Sequence, residues 1–163
     1  MKLLEISKDE RIFIDANIFL YSAFEHPIFG NTCKKFLQRI ESNDVKGFTS
    51  DFVLNEVFHR LMIAEVADKQ GTSSRKIPAM IKREPEIIKE LNIVWKEMEL
   101  IGSFGLTLLE GSIFPDFIEI SKKHQLMATD AAHLAIMRNN GIRNLASNDS
   151  DFRRVPWIKL WMP

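Results

Sequence analysis

The feature that most constrains this chain is a short run near its start. Ile12-Phe13-Ile14 follows Arg11 and ends at a carboxylate, Asp15. A strand apolar on both faces must be covered on both faces, which is the environment of a central strand in a parallel sheet. Other short runs have the same character. Val45 to Thr49, Leu106 to Leu109 and Leu145 to Ser147 read as strands, and Trp157 to Met162 alternates like an edge strand before Pro163. Helical spacing fills the intervals. Asn17 to Phe24 starts a helix, and Cys33, Phe36, Leu37 and Ile40 share one face of the next. Ser50 or Asp51 caps a third, and Thr129 caps a late one that Gly141 follows. Strands alternating with helices predict the α/β class with a mostly parallel sheet. With 163 residues and no linker-like tract, residues 1–163 read as a single domain.

In such sheets ligands sit beyond the carboxyl ends of the strands. Four or five acids fall there or nearby. Asp15 ends the first strand, and Asp149 follows the Leu145 strand with Asp151 just beyond. Asp130 opens a helix, and Glu56 lies about one and a half turns into the helix after the second strand. Each also has an ordinary reading. Asp130 suits a helix N-terminus, Glu56 pairs at i,i+4 with Arg60, and Asp149 and Asp151 are turn residues. Asp15, beside Ile12 to Ile14, is the hardest to explain as structure alone.

Their convergence would be costly without compensation. Two carboxylates ~6 Å apart repel by roughly 3 kcal/mol at an effective dielectric of about 20. Six such pairs would approach ~15 kcal/mol, the scale of a domain's whole stability. The cluster must therefore protonate, spread or bind cations. Oxygen-only donors favour Mg²⁺ or Mn²⁺, which suit phosphoryl chemistry.

The segments Ile12-Phe13-Ile14-Asp15-Ala16-Asn17-Ile18-Phe19, Thr49-Ser50 with Glu56, Asp130-Ala131-Ala132-His133-Leu134-Ala135, and Leu145-Ala146-Ser147-Asn148-Asp149-Ser150-Asp151-Phe152 occur in that order. In this order and spacing the chain resembles the PIN-domain ribonucleases, above all the VapC-type toxins of toxin–antitoxin pairs. The resemblance spans nearly the whole chain. It implies a PIN-like three-layer α/β/α sandwich with a central, mostly parallel sheet, and a cytoplasmic, metal-dependent endoribonuclease that leaves a 5′-phosphate and a 3′-hydroxyl. It also implies Asp15, Glu56, Asp130 and Asp149 as the catalytic acids. Mg²⁺ or Mn²⁺ would sit on Asp15, Asp130 and Asp149, with Asp151 sharing, and Asn17 and Ser147 in support. RNA is the implied substrate, a cognate antitoxin and a second copy of the chain the implied partners. A stand-alone RNA-processing nuclease and a non-catalytic protein-binding module on the same fold remain alternatives.

Two features depart from those toxins. Their chains are usually shorter, and the extra length falls in Ala67 to Gly102. There an exposed Gly/Ser loop leads into an amphipathic helix from Pro85, with Ile88, Leu91, Trp95, Met98 and Ile101 in one stripe. This is a helical insertion or an extended helical pair, and the Trp95 face is a candidate dimer surface. Charge is the second departure. Lys plus Arg equals Asp plus Glu at 22 each, so no global basic field draws in a polyanion. Local groups must serve: Lys34, Lys35 and Arg39; Arg75, Lys76, Lys82 and Arg83; Arg138, Arg143, Arg153 and Arg154.

Other classes fit less well. A dehalogenase-type phosphatase wants an Asp two residues after Asp15, where Asn17 stands. His26, His59, His124 and His133 lack metal-ligand spacing, and no P-loop is present. One cysteine, Cys33, excludes an internal disulfide and suits a reducing compartment. The first ten residues carry five charges, unlike a signal peptide, and no apolar stretch reaches membrane-spanning length.

Overall fold

The structure is a computed structural model describing residues 1–111 and 113–163. Its centre is a five-stranded sheet formed by β1 (Arg11–Ile14), β2 (Lys46–Thr49), β3 (Thr107–Leu108), β4 (Asn144–Ala146) and β5 (Lys159–Trp161). The order is β3-β2-β1-β4-β5, and every pairing is parallel. Burial follows position. Ile12, Phe13 and Ile14 of β1 and all of β4 are buried, whereas both β3 residues are exposed. The run apolar on both faces is thus the middle strand, as its composition requires.

The helices are α1 (Ala16–Ala23), α2 (Gly30–Glu41), α3 (Asp51–Gln70), α4 (Ile77–Arg83), α5 (Ile93–Ser103), α6 (Asp116–His124) and α7 (Ala128–Asn139). They flank the sheet as an α/β sandwich. α1 packs on α2 and α3, α3 on α5, and α6 pairs with α7. None of the described helices is long and apolar enough to cross a membrane. From β1 the chain passes to β2 on one side, and it later returns to place β4 on the other. The crevice between the carboxyl ends of β1 and β4 is therefore the topological switch point. Asp15 N donates to the Ala146 carbonyl at 3.1 Å, locking the two strand ends together.

Local capping sets the helices that border this crevice. Asp15 is the N-cap of α1, and Ser50 caps α3, accepting from Val53 N at 3.5 Å. Gly71 closes α3 in the left-handed region (φ 57), where a side chain would strain the backbone. At the late helix the expected cap shifts. Thr129 is not the cap: α7 begins at Ala128, with Met127 in the cap position and no side-chain cap bond. Ala128 extends the helix by one residue, and Asp130 enters the first turn, where its charge suits the helix dipole.

The extra segment also differs from its sequence reading. α3 runs to Gln70, beyond the expected loop start. A short turn at Ser74–Lys76 then leads into α4. The stripe from Pro85 is not one helix. Pro85–Glu90 is a 3₁₀ segment, and α5 starts afresh at Ile93. The reason is Glu65, buried on α3. Its carboxylate accepts from Asn92 N at 2.8 Å and Val94 N at 2.9 Å, and Lys69 pairs with it at 2.9 Å. Glu65 caps α5 from another helix and so fixes where α5 begins. Burial alone would raise its pKa, but the bonds from Val94, Lys69 and Asn92 outweigh burial and hold it below the usual glutamate value. Leu91 and Ile101 are buried, while Trp95 is 39% exposed and leans on Phe58, ring centroids 5.7 Å apart.

Candidate active site

Asp15 leaves the middle strand and turns directly into α1, so its carboxylate is held at the strand tip. It is 8% exposed. Oδ1 accepts from Ala16 N at 2.7 Å; Oδ2 accepts from Asn17 Nδ2 at 2.5 Å and from Ser147 Oγ at 2.6 Å. Ser147 is fully buried at the end of β4. Its hydroxyl also accepts from Asn17 Nδ2 at 2.9 Å and from Asp149 N at 3.0 Å. Asn17 Oδ1 in turn accepts from Asn148 N at 3.1 Å. The two neighbours expected to support the site, Asn17 and Ser147, therefore tie the loop after β4 to the carboxylate after β1.

Four acids named from the sequence face one cleft of about 320 Å³. Asp15, Glu56, Asp130 and Asp149 line it, together with Asn17, Tyr21 and Arg60. They arrive from the tip of β1, from α3, from the first turn of α7 and from the loop after β4. Asp151 does not line it. Its carboxylate pairs with Arg154 at 2.8 Å, and its N–H donates to Asp149 Oδ1 at 2.8 Å.

The electrostatics agree with the geometry. Burial pushes the Asp15 carboxyl up to about 6, and the charges of Glu56 and Asp130 push the same way against the bonds from Ser147 and Ala16. Asp130 also rises to about 6, from burial first and then from the charges of Asp149, Asp151 and Glu56. Two carboxyls that resist ionising because they are buried, and because acids around them add to the cost, are what a divalent cation relieves. The donors are carboxylate oxygens with amide and hydroxyl oxygens beside them, and among the described residues no thiol or imidazole lines the cleft. In donor type and charge the site fits Mg²⁺ or Mn²⁺. Among the described residues no group of three His, Cys, Asp or Glu side chains is already gathered at metal-gripping spacing, so the acids frame the cleft rather than form a closed cage.

Three participants escape a strand-end search. Tyr21, the chain's one tyrosine, lines the cleft, and its hydroxyl accepts from Asn148 Nδ2 at 3.2 Å. Asn148 fastens Tyr21 to the Asn17 network. Arg60 lines the cleft beside Glu56, with Nη2 3.5 Å from Oε1. The signal was present in two cases, since Tyr21 stands four residues after Asn17 and Arg60 four after Glu56, the same-face spacing of a helix. His133 lies in the core, away from the cleft lining. It is buried against Phe13, centroids 5.9 Å apart, Nδ1 has no partner among the described residues, and burial pushes its pKa down to about 4. Of the basic groups singled out earlier, Arg39 is bound to Asp44 and to the carbonyls of Leu4 and Ile6.

The PIN domain pattern matches residues 12–158. Ribonuclease VapC2 of Methanocaldococcus jannaschii is 29% identical over 155 residues, covering 94% of each chain. Similar folds occur in the crystal structures of VapBC2 from Rickettsia felis bound to a DNA fragment from their promoter and of Mycobacterium tuberculosis VapC20, a sarcin-ricin loop cleaving toxin. The first has a TM-score of 0.60 at 14% identity, over 93% of this chain and 98% of the other. The second has 0.57 at 16% identity, over 90% and 96%.

Proposed function

Because this chain belongs to the PIN-domain family, we propose that it is a metal-dependent endoribonuclease, the toxin of a toxin–antitoxin pair. The observation that carries the reading is the single cleft at the β1–β4 switch point, lined by acids from four separate segments. The likeness to a ribonuclease of the VapC type over 94% of both chains supports it and favours a toxin over a stand-alone processing nuclease.

In this reading Asp15, Asp130 and Asp149 hold Mg²⁺ or Mn²⁺, and Glu56 completes the acidic wall. When bound, such a cation supplies charge compensation at a phosphate oxygen and a lowered pKa for water. The chain's own residues do the rest. Ala16 N, Asn17 and Ser147 fix the Asp15 carboxylate in one orientation, so little reorganisation is needed as charge develops. Asp15 and Asp130 must release protons before they can hold a cation, and with both near 6, activity rises as pH climbs through that range. Asp151, held by Arg154, acts on the cleft through its charge and through its N–H bond to Asp149. RNA is the substrate, and the protein acts in the cytoplasm as a homodimer until a cognate antitoxin covers it.

The test is cleavage of end-labelled RNA with Mg²⁺ or Mn²⁺, beside EDTA and Asp15→Asn and Asp130→Asn variants. Cleavage that needs the metal and is lost in both variants is expected. Equal cleavage in EDTA or in Asp15→Asn would refute the assignment. Calorimetric titration with Mn²⁺ separates a binding module from an enzyme, since absent binding at millimolar metal would leave the acids without a cation to hold.

A further inference from the structure

An acidic cleft that takes a polyanion meets charge of its own sign, and among the described residues one cationic side chain lines this cleft with the four carboxylates: Arg60. Arg60 lies one turn after Glu56 on α3, so both side chains leave the same helix face. Their ion pair is loose. Nη2 stands 3.5 Å from Oε1, and the Arg60 side chain is 63% exposed. Exposed pairs of this kind bind their partners weakly. Among the described residues Glu56 is the one polar partner of Arg60, leaving most of its N–H donors to solvent. Three other arginines are committed elsewhere. Arg39 spans Asp44 and two carbonyls, Arg154 holds Asp151 and the Gln125 carbonyl, and Arg138 pairs with Asp116 and Glu119.

Resting on the endoribonuclease reading, we infer that Arg60 is the phosphate-binding residue of the cleft: its guanidinium exchanges Glu56 for a phosphate of the RNA strand. The planar fork matches two phosphate oxygens at once, which an ammonium does not. The exchange has a second effect, because the Glu56 carboxylate loses its cationic neighbour as RNA arrives and is left facing the cleft. A neutral chain thereby accepts RNA through one placed cation and needs no broad basic surface.

The test measures RNA binding apart from cleavage. Fluorescence anisotropy with a labelled single strand is run on wild-type protein in EDTA and on Asp15→Asn, each with and without Arg60→Ala, across a salt series. Arg60→Ala is expected to weaken binding about tenfold and to lower the log–log salt slope by about 0.7, the share of one single-strand phosphate. Arg60→Lys is expected to keep the slope and recover only part of the affinity. In cleavage assays Arg60→Ala lowers kcat/KM while its melting temperature stays within about 2 °C of wild type. Unchanged affinity and slope in Arg60→Ala overturn the inference, and if Asp15→Asn still abolishes cleavage, the nuclease reading survives that failure. Equal loss in Lys and Ala variants, with a lowered melting temperature and an unchanged slope, also overturns it and assigns Arg60 to α3 stability. If wild type shows neither metal-dependent cleavage nor RNA binding, both readings fall together.

Discussion

Removing the charge of Asp15 should flatten the pH dependence of folding in metal-free protein. The carboxyl is 8% exposed and rises from 3.8 to about 6 in the fold. A raised carboxyl pKa means the folded state holds its proton more tightly than the unfolded chain does. Its contribution is therefore fully present below about pH 4 and is lost as pH climbs through about 6. A shift of about two pKa units corresponds to about 3 kcal/mol, so between about pH 4 and about pH 8 wild type should lose stability of that order through this group. Asp15→Asn carries no such term. It does place an amide where Asn17 Nδ2 and the Ser147 hydroxyl now donate, at a cost of about 1–3 kcal/mol that is present at every pH. The variant is thus expected to be less stable than wild type at about pH 4 and equal or better at about pH 8. Urea unfolding in EDTA at several pH values reads the difference directly. Saturating Mg²⁺ or Mn²⁺ at the upper pH should restore wild type and leave the variant unmoved. Parallel stability curves for the two proteins across that pH range would show that Asp15 is not the strained acid.

Three other perturbations probe features that position the cleft. Glu65→Gln removes the charge that caps α5 from α3 and should cost about 2–3 kcal/mol at neutral pH in chemical denaturation. Because the Glu65 pKa is lowered, that difference should shrink as pH falls through the carboxylate range. Gly47→Ala places a Cβ 2.6 Å from Ile40 Cγ2 and 2.9 Å from Leu106 Cδ2, so overpacking beneath β2 should cost about 1–3 kcal/mol, read as a lower urea midpoint. Ser147→Ala deletes the hydroxyl shared by Asp15, Asn17 and Asp149 N; RNA cleavage should fall at least about tenfold, with a stability loss of about 1–3 kcal/mol by calorimetry.

Much of the fold was legible because its signals are local. Ile12 to Ile14 could only be a middle strand, and Ser50 marks the start of α3 by short-range chemistry. The site was half legible. Residues at strand tips and helix starts can be found by walking the chain, and Asp15, Asp130, Asp149 and Glu56 do meet in one cleft. Asp151 looked equivalent to Asp149, two residues away, but the turn swings it to Arg154, a direction set by the packed loop. Thr129 looked like a cap because Thr often is one, while the real start of α7 depends on how Met127 enters from α6.

Periodicity, burial preference and capping act over a few residues, so the amino-acid order alone was enough to dictate a parallel α/β sandwich with acids at the carboxyl edge. What the order did not dictate are contacts between residues far apart along the chain. Glu65 breaks a continuous apolar stripe by capping α5 across 27–29 residues, and Asn17 meets Ser147 across 130. Arg60 turns from a surface ion-pair partner into the cation of an acidic cleft only once β1, α3, α7 and the β4 loop come together. Such pairings are chosen by packing and desolvation of the whole molecule, whose energies no short window of sequence contains.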